Sequence, residues 1–202
     1  MQVERDFEPI ELNGIKSYPL KQRQSKVTIK EFGHTYSKGS SFSQFIDSLP
    51  DVLAARDLKE VASNIVTAHK AHNIIVFGLG AHVIKVGLNP IIIDLMERGI
   101  INAIALNGAG IIHDAEIAMI GQTSEDVGNN LTEGSFGMAE ETALLINDAV
   151  SEGVESGLGI GESVGEKLLN LGLPHNDLSI LASGAKLKVP VTVHIAIGTD
   201  IV

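Results

Sequence analysis

Two stretches of this chain pass from an apolar run through glycines into a helix-like pattern, and they do so at matching points. The first is Asn73-Ile74-Ile75-Val76-Phe77-Gly78-Leu79-Gly80-Ala81-His82, and the second is Ala103-Ile104-Ala105-Leu106-Asn107-Gly108-Ala109-Gly110-Ile111-Ile112-His113-Asp114. A strand that turns through glycine into a helix, followed by a second such unit, is the parallel crossover, right-handed by default. Both turns then fall at one edge of one parallel sheet. Glycine there lets a ligand approach main-chain N–H groups, and the helix N-terminus that follows favours anionic oxygen. Two such turns side by side point to a nucleotide or phosphate cradle.

The rest of the chain is read around these turns. Residues 1–42 form an N-terminal arm, polar and mixed, with an expected strand over Lys26–Lys30 and a loop at Ser37–Ser41. Residues 43–202 form one α/β domain, since 202 residues of which 44% are hydrophobic can bury a single sizeable core. Within it a short helix is expected over Ser43–Leu49 before Pro50, and a long one over Asp51–His72. The first strand is expected at Ile74–Phe77, a helix from His82 to Arg98 despite Pro90, and the second strand at Ile101–Leu106. Residues 121–137, rich in Gly, Ser, Thr, Asn and Asp, read as a loop covering the site. A helix follows over Met138–Val150. Gly157, Gly159 and Gly161 read as a flexible entry to a helix ending near Leu171, a short helical turn starts at Asp177, and a buried strand runs over Pro190–Ile197. No helix follows that strand, so either a partner subunit covers it or the domain is cut short at its C-terminal end.

Charge and composition remove several classes. The net charge is −10, and residues 101–202 hold 3 Lys/Arg against 14 Asp/Glu, which disfavours a nucleic-acid surface and would draw a cationic ligand. No cysteine is present, so disulfides, thiolate metal sites and cysteine nucleophiles are excluded. The N-terminus lacks the plan of a signal peptide and no apolar run is long enough to span a bilayer. A soluble cytoplasmic protein without membrane contact is expected.

Gly78-x-Gly80 lacks the third glycine of the dinucleotide fingerprint, because Val83 stands there. Leu106 and Asn107 occupy the place where an acidic residue would meet the ribose, so an ordinary Rossmann dehydrogenase is disfavoured. His113, just past the second turn, is the candidate acid or base, with Asp114 to orient it and Glu116 close by. Lys85, one turn into the first helix, could reach an anionic ligand. A different reading gathers His82, His113, His194 and Asp200 at the sheet edge as ligands of a metal-dependent hydrolase. A third is a non-catalytic ligand-binding subunit.

Phe77–Gly87, Asn107–Asp114 and Val189–Asp200 together resemble the deoxyhypusine synthase superfamily, most closely its bacterial relatives with a Gly-Ala-His-Val-Ile-Lys signature. The resemblance covers about residues 45–202. It implies a doubly wound parallel sheet binding NAD, with contacts from Gly78, Gly80, Ala81, His82, Lys85, Asn107, Gly108, Ala109, Gly110, Thr199 and Asp200. It also implies a homotetramer with the cofactor near subunit interfaces, and hydride loss from a carbon beside an amine. The chain departs from those enzymes at Ala81-His82, where they have Ser-Asn, and at Ile112-His113, where they have paired glutamates. Their covalent lysine would lie beyond Val202.

Overall fold

The computed structural model describes residues 10–196 and 198, and these fall into two compact units, 1–61 and 62–202. In the first unit, α1 (Phe42–Ser48) starts at a capping box, with Ser41 and Gln44 each satisfying the other's backbone N–H. Lys26–Lys30 forms no strand. Thr28 and Glu31 instead make a capping box around a 3-10 turn, Ile29–Glu31, so side-chain capping wins over β propensity. Glu31 also pairs with Arg56 at 2.6 Å. α2 (Leu53–Lys70) begins in this unit and ends in the next.

The second unit is α/β, with a small open sheet of three parallel strands in the order β1-β2-β3. β1 is Val76–Leu79, β2 Ala103–Asn107 and β3 Val191–His194. Phe77 pairs with Ile104 and Leu79 with Leu106, while Ile104 and Leu106 pair with Val191 and Val193 on the other side. These six residues share one face, and with helices from both crossovers they build the core. Between β1 and β2 lie α3 (His82–Lys85) and α4 (Asn89–Glu97). Between β2 and β3 lie α5 (Gly108–Ile120), α6 (Val127–Glu133), α7 (Glu140–Ser156), α8 (Ile160–Leu171) and α9 (Ile180–Leu187), with a 3-10 turn at Asn176–Leu178.

The expected doubly wound sheet is corrected. Both crossovers step the same way along the sheet, and right-handed crossovers that step the same way put their helices on the same face. Double winding requires a reversal of strand order, which these three strands lack. Burial agrees with this, because Ile104 is 1% exposed whereas Val76, on the opposite face, is 60% exposed.

Three local expectations also change. The single helix over 82–98 is two helices, because the chain turns at Gly87 with φ +78° before Asn89 and Pro90 restart it. The loop over 121–137 contains α6, capped by Asp126, whose Oδ1 accepts from Asn129 N. The loop is also closed by Glu125, which accepts from Gly137 N at 2.6 Å and from Asn130 Nδ2 at 2.5 Å. Gly161 is not a flexible entry: it lies in the first turn of α8, where an added Cβ would stand 1.9 Å from the Val191 carbonyl oxygen.

Candidate functional site

The register of β1 on β2 decides which residues share the carboxyl edge. Leu79 lies opposite Leu106, so Gly80-Ala81-His82 and Asn107-Gly108-Ala109 leave neighbouring strands at the same level. Asn107 lies opposite His194, which brings the end of β3 beside them. Gly78 and Gly80 have open space where a side chain would stand. Ala81 is buried, whereas His82 and Lys85, the first and last residues of α3, are exposed. α3 packs against α5.

α5 starts at Gly108. Asn107 is its N-cap and accepts from Gly110 N at 2.9 Å through Oδ1. Gly108 and Gly110 are buried, and a Cβ on Gly110 would meet Asn107 Oδ1 and Leu106 Cδ2 at 3.3 Å. The backbone N–H groups of Gly108 and Ala109 open the helix at its positive end. Thr199 and Asp200, expected to contact the cofactor, lie outside the described residues.

Asp114 does not orient His113. Its carboxylate is fully buried and points to α9, accepting from Ile180 N at 2.8 Å, Leu181 N at 2.9 Å, Ser179 Oγ at 2.6 Å and Asn89 Nδ2 at 3.2 Å. It ties α5, α4 and the N-terminus of α9 together. Burial pushes this carboxyl above its ordinary value, opposed by the hydrogen bonds from Ser179, Leu181, Ile180 and Asn89.

The partner of His113 is Glu116. His113 Nδ1 lies 2.6 Å from Thr123 Oγ1 and 3.4 Å from Glu116 Oε2, while Thr123 Oγ1 donates to Glu116 Oε2 at 2.5 Å. Thr142 of α7 donates to Glu116 Oε1 at 3.4 Å. The His113 and Glu116 side chains are 18% and 19% exposed. Burial pushes the Glu116 carboxyl up, but its bonds with His113 and Thr123, the His113 charge and a backbone bond from Ser124 outweigh this, holding it below the usual range. Sequence carried the signal for Glu116: residues three apart share a helix face, and adjacent residues do not. For Thr123, ten positions along and beyond the helix, there was none.

Among the described residues no three His, Asp or Glu side chains gather to hold a metal. His113 turns Nδ1 to Thr123, and His194 Nε2 lies 3.0 Å from Thr192 Oγ1 within its own strand. Asp200, the fourth ligand of that reading, is outside the described residues.

The fold and this edge define an α/β protein with a small open parallel sheet and a glycine-lined carboxyl edge. No family model matches the chain, that of the deoxyhypusine synthases included, and no curated protein matches it. Among solved structures it is similar to one described as a "conserved putative LOR/SDH protein" from Methanococcus maripaludis S2, with 22% identity and a TM-score of 0.45. That match covers 93% of this chain and 50% of the other, so the chain spans about half the length of that protein. The expected membership of the deoxyhypusine synthase superfamily is therefore corrected. The segments behind it encode strand, glycine turn and helix, a pattern common to many parallel sheets. Among the described residues no helix is long and apolar enough to cross a membrane.

Proposed function

We propose that residues 62–202 bind a nucleotide, NAD or a related one, across the carboxyl edge of the parallel sheet. The observation that supports this most is the Leu79–Leu106 register, which sets two glycine turns side by side with open space at Gly78 and Gly80. In a parallel sheet the helices that follow the strands begin at the carboxyl edge, and their N-termini favour anionic groups there. The N-terminus of α5, with the N–H groups of Gly108 and Ala109, suits a pyrophosphate, and Gly110 keeps the Asn107 cap close. Gly78, Gly80 and Ala81 offer a surface without bulk on the first turn. His82 and Lys85 supply exposed polar groups one helical turn apart, fitted to ribose or phosphate oxygens. The open space at Gly78 and Gly80 leaves room for the group, Lys85 and the start of α5 offer it positive charge, and the ligand would bring the chemistry of its own base or ring.

Gly80→Val is the discriminating variant, because a Cβ at this position meets nothing within 4 Å in the protein. Calorimetric titration of the intact protein with NAD is expected to show saturable binding, weakened at least tenfold by Gly80→Val with thermal stability unchanged. Absence of binding to NAD, NADP and ATP at millimolar concentration would overturn the proposal.

A further inference from the structure

The cluster around His113 fixes a proton as well as a ring. A hydroxyl carries one hydrogen, and an ionised carboxylate only accepts. Thr123 gives its hydrogen to Glu116 Oε2 at 2.5 Å, so toward His113, 2.6 Å away, its oxygen can only accept. Nδ1 therefore carries the imidazole hydrogen, with Glu116 Oε2 as a second acceptor 3.4 Å off. In the neutral ring Nε2 is left with its lone pair. This is the reverse of the form that an unconstrained histidine side chain favours. Among the described residues no hydrogen-bond partner meets Nε2, and the side chain remains 18% exposed.

α5 leaves the carboxyl edge of the sheet at Gly108, and His113 stands in its second turn, where helical side chains lean back toward the N-terminus. Ser124, next to Thr123, holds a left-handed backbone with φ +71°, a costly conformation for a non-glycine residue, and its backbone hydrogen-bonds Glu116 of the helix.

We infer that His113 is a proton acceptor at this edge, taking through Nε2 a proton from a hydroxyl or amine group of a substrate, with Thr123 and Glu116 as positioning residues. In that step the bond between heteroatom and hydrogen breaks, its electron pair stays on the heteroatom, and the proton joins Nε2. The imidazolium so formed keeps its Nδ1–H on Thr123, and the Glu116 carboxylate balances its charge. The inference rests on the nucleotide reading for what lies beside the ring, but not for the position of the ring's own hydrogen.

Two measurements on the full chain test the two parts separately. In nitrogen-15 long-range imidazole spectra, recorded about two pH units above the ordinary histidine value, His113 is expected in the Nδ1–H form. Thr123→Val is expected to shift it to the Nε2–H form, while Thr123→Ser keeps it. An Nε2–H signal in the unaltered protein, or no change in Thr123→Val, overturns the inference. Acylation of His113 by diethyl pyrocarbonate, followed by mass spectrometry, is expected to slow at least fivefold with saturating NAD. Binding of NAD without protection overturns the placement of the base at this edge. Failure of NAD to bind overturns the nucleotide reading, and the spectra then still decide the tautomer.

Discussion

Asp114 and Glu116 stand two positions apart on α5, and about 200° of helical rotation sends their carboxylates to opposite sides. Asp114 faces the core, where burial raises its pKa above the ordinary 3.8. The sign of the pH dependence follows: between the ordinary and the raised value the folded state binds more protons than the unfolded one, so this group's contribution to stability falls as pH rises through that window. Asp114→Asn keeps the shape but turns an N–H₂ toward donors, and is expected to cost about 1–3 kcal/mol. Urea unfolding of both proteins should show a gap that is widest at acid pH and narrows toward neutrality. A gap that widens with pH would mean that the four hydrogen-bond donors outweigh burial. Glu116 has the opposite sign, since its lowered pKa adds stability above the ordinary 4.5 that is lost as pH falls through the lowered value.

At the scale of elements, glycines inside helices set how closely the layers approach. A Cβ on Gly161 would lie 1.9 Å from the Val191 carbonyl oxygen, and one on Gly165 would lie 2.6 Å from the Leu181 carbonyl oxygen. Bare helix surface is therefore what allows α8 to seat on both β3 and α9. Gly161→Ala is expected to destabilise by about 3 kcal/mol, because backbone and not a flexible side chain must give way. Gly128→Ala in α6, where the Cβ meets only Asp126 Oδ1 at 3.5 Å, is expected to be neutral or to stabilise by about 0.5 kcal/mol. Equal losses in denaturant melts of the two variants would refute this account of packing. The same glycines mark what sequence could convey. Hydrophobic period located the three strands and α2 to within a few residues, and the start of α7, whose end lies at Ser156 and not at Val150. The spacing of Gly161 and Gly165 looks the same whether a helix frays or packs closely, because the deciding neighbours, Val191 and Leu181, are distant in the chain. The paired turns were legible because strand, glycine and helix follow one another locally. The role of Asp114 was not, since its partners at Ser179, Ile180 and Leu181 are brought to it only by folding.

At the scale of the whole molecule, burial is distributed unevenly along the chain. Among the described residues every buried apolar side chain lies at or beyond Ala81, while between 10 and 61 no residue is buried. In that first unit Ile10, Leu12, Ile15 and Ile29 are all more than 70% exposed, and α1 and the 3-10 turns at Leu20–Gln22 and Ile29–Glu31 have no buried side chain. Its order comes from capping boxes and the Arg56–Glu31 and Arg56–Asp51 ion pairs, exposed contacts of a kind that adds little to stability. Opening free energy follows the density of buried apolar contacts, so the first unit should open far more often than the sheet and its helices. Limited proteolysis of the intact protein with chymotrypsin is expected to cut first among Tyr18, Phe32, Tyr36, Phe42 and Phe45. The surviving fragment should keep β1, β2, β3 and the glycine turns, and with them any affinity for NAD. An early cut at Leu106, Leu168 or Leu181, side chains no more than 1% exposed, would show that the core helices open as readily as the first unit.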